Sequence, residues 1–213
     1  MRHVRASGPQ RRQQIMQAAE RLFARRRIHE VTLDEVARVA QVGKGTIYRY
    51  FKDKDDLFFE TATSGFDHMC DLLNRRVPGQ ATFQTRLLAA CQQIIDFFDR
   101  RRHLIRMMQS EEGRALNSPG KLRERWMTRR QRMVTAVADI IAQGQQDREV
   151  RDDIPGEVLA VYLLGLLRTR SNELADSSSE GRSLELALDL FWSGARRPEG
   201  ATVPASGRSR HVR

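Results

Sequence analysis

The stretch from Thr32 to Leu57 constrains this chain more tightly than any other, because it encodes two short helices, a tight turn and the start of a third helix with almost no linker. Thr32 and Glu35 have the spacing of a capping box, in which the Thr side chain and the Glu three residues on each satisfy a backbone donor of the first turn. Leu33, Val36, Ala37 and Ala40 then recur at helical spacing as one apolar stripe. Gln41-Val42-Gly43 is the turn, with Val42 its apolar anchor, and Lys44–Phe51 is the next helix, with Ile47 and Phe51 facing inward at i, i+4. Asp53 and Asp56 repeat the capping logic for a helix from Lys54 to about Arg76. The middle helix carries Lys44, Thr46, Tyr48, Arg49 and Tyr50 around that narrow apolar face. A helix that packs on one face and presents basic, hydroxyl and aromatic groups on the other suits contact with a polyanion.

The rest of the chain also reads as helical, with no strand patterning. Residues 1–9 are expected to form a flexible basic arm. A helix from about Gln10 to Arg27 carries Ile15, Ala18, Ala19, Leu22 and Phe23. Beyond Arg76, Val77-Pro78-Gly79 is a stop, and Phe83–Phe98 is strongly amphipathic. The run Arg100-Arg101-Arg102 reads as cover for a helix end. Leu104–Met108 reads as a short helix ending in the Gly113–Gly120 region, followed by a long one to about Gln146. Pro155 opens a helix as a first-turn proline, and Val158–Leu167 is apolar on nearly every side, so it must be covered. A last helix runs from about Ser183 to Ser193. The domain expectation is a helix-turn-helix unit over 10–56, a helical body over 57–194, and a disordered basic tail over 195–213.

Charge placement sharpens the reading. The formal net charge is +10, with +8 in residues 1–52, +4 in 195–213 and −2 between them. A basic N-terminal block suits phosphate contact by counterion release, while the tail reads as a solvated segment. No run of about 18 apolar residues suggests a membrane span, and the N-terminus lacks the apolar stretch of a secretory signal, so a cytoplasmic protein without membrane contact is expected. Cys70 and Cys91 read as buried thiols rather than a disulfide. The five histidines show no metal-ligand spacing, Glu111-Glu112 lacks an acid/base partner, and no phosphate loop or nucleophile elbow appears, so neither an enzyme nor a bound cofactor is expected.

On the wheel of the middle helix, Gly45 and Arg49 point away from Ile47 and Phe51, with Thr46 and Tyr48 on the shoulders. Its N-terminal half can enter a major groove, where Gly45 allows close backbone approach. Thr46 can meet a thymine methyl or a phosphate, and Arg49 can contact guanine. Tyr48 and Tyr50 suit phosphate, as do Thr32 and Lys54 at the starts of the flanking helices.

These residues resemble the TetR family of bacterial transcriptional regulators. Its pattern T-x-x-x-[IV]-A-x-x-A-G-V-S-x-G-T-x-Y-x-[YH]-F-x-x-K-x-x-L is matched at Thr32, Val36, Ala37, Ala40, Val42, Gly45, Thr46, Tyr48, Tyr50, Phe51, Lys54 and Leu57. Gln41 stands where glycine is usual, at a turn position that often needs positive φ, and Gly43 where serine is usual. The resemblance implies an all-α fold, an N-terminal three-helix DNA-binding domain followed by a ligand-binding and dimerisation domain. It implies a homodimer that represses from a palindromic operator on double-stranded DNA and is released by a small-molecule effector. DNA contact is expected from Thr32, Gly43, Lys44, Gly45, Thr46, Tyr48, Arg49, Tyr50 and Lys54. The dimer seam is expected at Leu163, Leu167, Leu188, Phe191 and Trp192, in the last two helices. Met107, Met108, Trp126 and Met133 are candidates for an adaptable pocket wall, although core packing accounts for such stripes more often. The alternative is a ligand-independent DNA-binding regulator or architectural factor controlled by a protein partner. A filled, pocketless middle would favour it.

Overall fold

The computed structural model describes residues 7–117 and 120–197, and among these the regular structure is helical. Nine α-helices follow in order: α1 Gly8–Phe23, α2 Leu33–Val39, α3 Lys44–Tyr48, α4 Lys54–Arg76, α5 Phe83–Arg100, α6 Arg102–Asn117, α7 Lys121–Gln146, α8 Gly156–Asn172 and α9 Leu184–Ala195. A single 3-10 turn, Ile28–Glu30, joins α1 to α2. The only bridge among the described residues is an isolated antiparallel pair, Val150 with Arg196.

Side-chain caps explain most of the boundaries. Ser7 and Gln10 form a capping box that starts α1 at Gly8, two residues before the sequence expectation. Residues 1–6 of the expected basic arm and 198–213 of the expected tail lie outside the described residues. The first tail residues instead close the body: Ala195 ends α9, and its carbonyl accepts from Arg151 N at 2.9 Å. The expected short helix at Leu104–Met108 is the middle of α6, which continues to Asn117 because Gly113 sits exposed and helical. An exposed glycine weakens a helix by only about 1 kcal/mol. The buried Leu104, Ile105, Met108, Glu111 and Ala115 hold α6 down along its length.

Helix α4 is the spine. Its 23 residues are long enough, at about 1.5 Å each, to run from the helix-turn-helix unit into the body, and it packs against α1, α5, α6 and α7. Phe59, Leu57 and Met69 on α4 are buried with Ile94, Leu104 and Ile141 from the helices around it. α8 lies against α7 and α5, and α9 against α8. At the far end Gly144 admits close packing, since a Cβ there would lie 2.7 Å from Val150 Cγ2 and 2.8 Å from the Phe83 ring.

Candidate functional site

The turn between α2 and α3 is a complete Schellman motif. Val42 N donates to Ala37 O at 2.9 Å and Gln41 N to Arg38 O at 3.2 Å, and Gln41 takes the left-handed conformation at φ 53°. A non-glycine residue thus occupies the position that glycine would take without strain. Gln14 on α1 donates its amide to Ala40 O at 2.8 Å, so the first helix holds the turn from below. Ile47 and Phe51 are buried at 0% and 1% exposure and Val42 packs against the same core, which fixes the rotation of α3.

With that rotation set, Gly43, Lys44, Gly45, Tyr48 and Arg49 all face solvent, and Thr46 is half-buried. Tyr48 is 52% exposed. α3 itself spans only Lys44–Tyr48, and Tyr50 and Phe51 close its end by donating back to Ile47 O. Tyr50 is half-buried: its hydroxyl lies against Gly8 of α1, and Arg49 stacks over its ring at 5.9 Å.

Two sequence expectations change in detail. At the starts of α2 and α4 the cap side chain already takes one first-turn backbone donor. Glu35 N donates to Thr32 Oγ1 at 3.2 Å, and Asp56 N donates to Asp53 Oδ1 at 2.7 Å. Asp55 and Asp56 also place negative charge in the first turn of α4, which opposes phosphate at that helix end, so Lys54 offers chiefly its side chain. Lys44 Nζ pairs with Asp34 Oδ2 at 2.8 Å, which raises the ammonium's pKa and ties α3 to α2 in the absence of DNA. The capping box has its own electrostatic mark. The backbone hydrogen bond from Thr32, followed by that from Arg26, holds the Glu35 carboxyl down at about 2.

The expected pocket residues divide. Met108, Trp126 and Met133 converge on one cavity of about 220 Å³ lined by α4–α8, and Trp126 meets Phe66 edge-on at 5.0 Å in the same wall. Met107 points to the other side of α6, where it shares a surface cleft with Phe23 and Phe58. The polar part of the cavity wall is Gln109, Glu112, Arg130 and Arg168, none of which the sequence pattern singles out. They come from three different helices, so no local spacing signals them. A larger hollow of about 1030 Å³ lies open between α4 and α7 and holds the half-buried Cys70. Cys91 is fully buried, and burial pushes its thiol up to about 12.

Three of the five residues expected at the dimer seam are corrected. Leu163 and Leu167 have no exposure and Phe191 only 4%, so all three belong to the protomer's own core. Leu188 is half-buried, as is Trp192, whose ring packs edge-on against Phe83 at 5.6 Å. The outward faces of the same two helices carry Val158, Val161 and Tyr162 on α8, and Leu186 and Leu190 on α9. Tyr162 is 69% exposed.

A charged cluster that the sequence pattern does not signal links the two parts of the chain. Glu60 on α4 accepts from Arg12 of α1 and from Arg125 and Arg129 of α7, the last two at 2.8 Å. Arg101 does cover a helix end as expected, capping α5 and reaching Glu20 of α1 at 3.6 Å.

The chain is similar to known proteins. The family described as "Bacterial regulatory proteins, tetR family" matches residues 15–61. The chain is 30% identical over 187 residues to the HTH-type transcriptional repressor Rv1474c of Mycobacterium tuberculosis, covering 88% of this chain and 94% of that protein. It is 25% identical over 186 residues to the HTH-type transcriptional repressor AcnR of Corynebacterium diphtheriae, covering 87% and 92%. Among solved structures, FadR of Bacillus subtilis in complex with stearoyl-CoA shares the fold, with a TM-score of 0.72 at 20% identity over 85% of this chain and 98% of that one.

Proposed function

The chain belongs to the TetR family of bacterial regulatory proteins and is a DNA-binding transcriptional repressor, not an enzyme; on that premise we propose that it acts as a homodimer on a palindromic operator and is released by a small molecule bound among α4–α8. The observation that carries the release step is the 220 Å³ cavity lined by five helices of the body. A filled middle would instead have favoured regulation by a protein partner.

In the proposed complex α3 enters the major groove. Arg49 and Thr46 meet base edges or a neighbouring phosphate, and Tyr48, Tyr50, Lys54 and Thr32 hold the backbone, with Gly43 and Gly45 allowing close approach. Lys44 exchanges Asp34 for phosphate. The partner copy joins through the exposed stripe of α8 and α9, replacing the inward leucines first expected there. A two-fold dimer would set its two reading helices about 34 Å apart, one turn of DNA.

Two helices reach from the cavity to the reading unit. α4 carries Phe66 in the cavity wall and Lys54 at its DNA end. α6 carries Met108 in the wall, and its His103 lies 2.8 Å from Glu20 of α1. A ligand that favours one setting of these helices shifts the population between DNA-competent and incompetent spacings, and reduces operator affinity by its differential affinity for the two.

The test begins with selection of binding sites from random DNA, which is expected to yield a two-fold symmetric sequence. Tyr48→Ala with Lys54→Ala is expected to abolish binding to it while sedimentation still shows a dimer. Tyr162→Asp with Leu190→Asp is expected to give a folded monomer that binds the full site weakly. An asymmetric selected site, or unchanged affinity in the first variant, would refute the reading.

A further inference from the structure

The cavity has two unlike kinds of lining. Phe66, Phe98, Ile105, Trp126, Met133 and Leu164 make an apolar wall, while Arg130 of α7 and Arg168 of α8 belong to the same lining. Its volume of about 220 Å³ is below the ~300–1,000 Å³ of ordinary small-molecule pockets and is equivalent to about seven waters at liquid density. That volume suits a compact occupant.

The charges are set unevenly. On α7 the neighbours Arg129 and Arg132 both reach Asp67, whereas Arg130 makes no ion pair or hydrogen bond among the described residues. It is half-buried beside the cavity. Arg168 has one partner, Glu112, at 3.3 Å. Two guanidiniums against one carboxylate leave the lining at +1, a surplus centred on the unpaired Arg130. Trp126, in the apolar part of the wall, keeps its indole N–H buried without an acceptor among the described residues. A guanidinium, a second one shared with Glu112 and an amide from Gln109 supply mostly donors around an apolar hollow. Such a lining selects an acceptor-bearing anion with an apolar body.

We propose that the effector is a compact amphipathic monocarboxylate, its hydrocarbon part in the apolar hollow and its carboxylate on Arg130. This inference rests on the ligand-released reading above. Glu112 opposes the anion by like charge and by holding Arg168, so it lowers affinity and sets the ligand concentration at which the site fills. A carboxylate bound to Arg130 would also draw Arg168 from Glu112, which gives α6, α7 and α8 a new arrangement in the bound state.

Octanoate is the probe, with 1-octanol and octylamine as chain-matched neutral and cationic controls, each titrated calorimetrically into the full chain. Octanoate is expected to bind at least about tenfold more tightly than octanol, the usual scale of a charge-assisted hydrogen bond, and octylamine more weakly than either. Arg130→Met, which keeps the apolar stem, is expected to abolish the preference for the acid, Arg130→Lys to keep part of it, and Glu112→Gln to tighten octanoate severalfold. Circular dichroism checks that each variant is folded. Equal binding of acid and alcohol, preference for the amine, no binding of any probe, or an unaltered preference in Arg130→Met would each overturn the proposal. Failure of the underlying reading looks different: octanoate would bind with the expected preference and leave operator affinity unchanged.

Discussion

Removing the carboxylate at Glu60 isolates what the charged cluster does. Its side chain is 10% exposed and meets three guanidiniums, Arg12 from α1 and Arg125 and Arg129 from α7. Breaking a buried pair by deleting one partner costs about 3–5 kcal/mol. Here the loss is smaller, because Arg125 keeps Asp56 at 2.9 Å and Arg129 keeps Thr63 at 2.9 Å and Asp67 at 3.4 Å. Arg12 loses its one carboxylate partner among the described residues, but its side chain is 38% exposed and partly rescued by water and by the Phe51 ring 5.2 Å away. Glu60→Gln is therefore expected to cost about 2–3 kcal/mol at pH 7, or about 5–10 °C in Tm for a chain of this size. Acid supplies a second signature. Burial works against ionisation of Glu60, but the charge of Arg129 and the hydrogen bonds from Arg125 and Arg129 outweigh it and hold the carboxyl below its ordinary value of 4.5. A carboxyl depressed in the folded state contributes its full stability above the unfolded-state value and loses it as pH falls through the folded one. The gap between the parent chain and Glu60→Gln should accordingly be widest at neutral pH and shrink below about pH 4.5. Urea unfolding followed by circular dichroism at several pH values measures it. A gap within about 0.5 kcal/mol at pH 7, on the scale of ordinary surface substitutions, or one indifferent to pH, would refute the view that Glu60 fastens α1 to α7.

Backbone positions give two sharper contrasts. Gln41→Gly should raise stability by about 0.5–1 kcal/mol, since relief of left-handed strain of about 1–2 kcal/mol exceeds the extra chain entropy of glycine; a lower Tm would show that the Gln41 side chain does more than occupy the turn. Gly144→Ala should destabilise by at least about 1 kcal/mol, because crowding of Val150 and Phe83 outweighs the better helix propensity. The same change at Gly113, whose Cβ would meet nothing within 4 Å, should stabilise by about 0.5–1 kcal/mol. Equal signs at the two sites in thermal denaturation would contradict the packing described for the end of α7.

Whatever depends on neighbours along the chain is legible in the sequence alone. The Thr32–Glu35 box, the Asp53 cap and the left-handed turn at Gln41 are each set by hydrogen bonds within about five residues, so local spacing suffices to place them, and the i, i+4 spacing of Ile47 and Phe51 marks the face to be buried. Helix length is less legible: α6 outruns its expected end because tertiary burial of Glu111 and Ala115 overrides a weak local signal at Gly113. Three features are decided only by the tertiary structure. The outward face of α8 is hidden because the helix is apolar nearly all round, and periodicity cannot say which of Tyr162 and Leu163 a neighbour will cover. The cavity's Arg130 and Arg168 meet from separate helices. The Glu60 cluster joins residues 48 to 69 positions apart. Short-range backbone chemistry is written along the chain, whereas burial and charge pairing depend on which helices meet, and only the packed fold determines that.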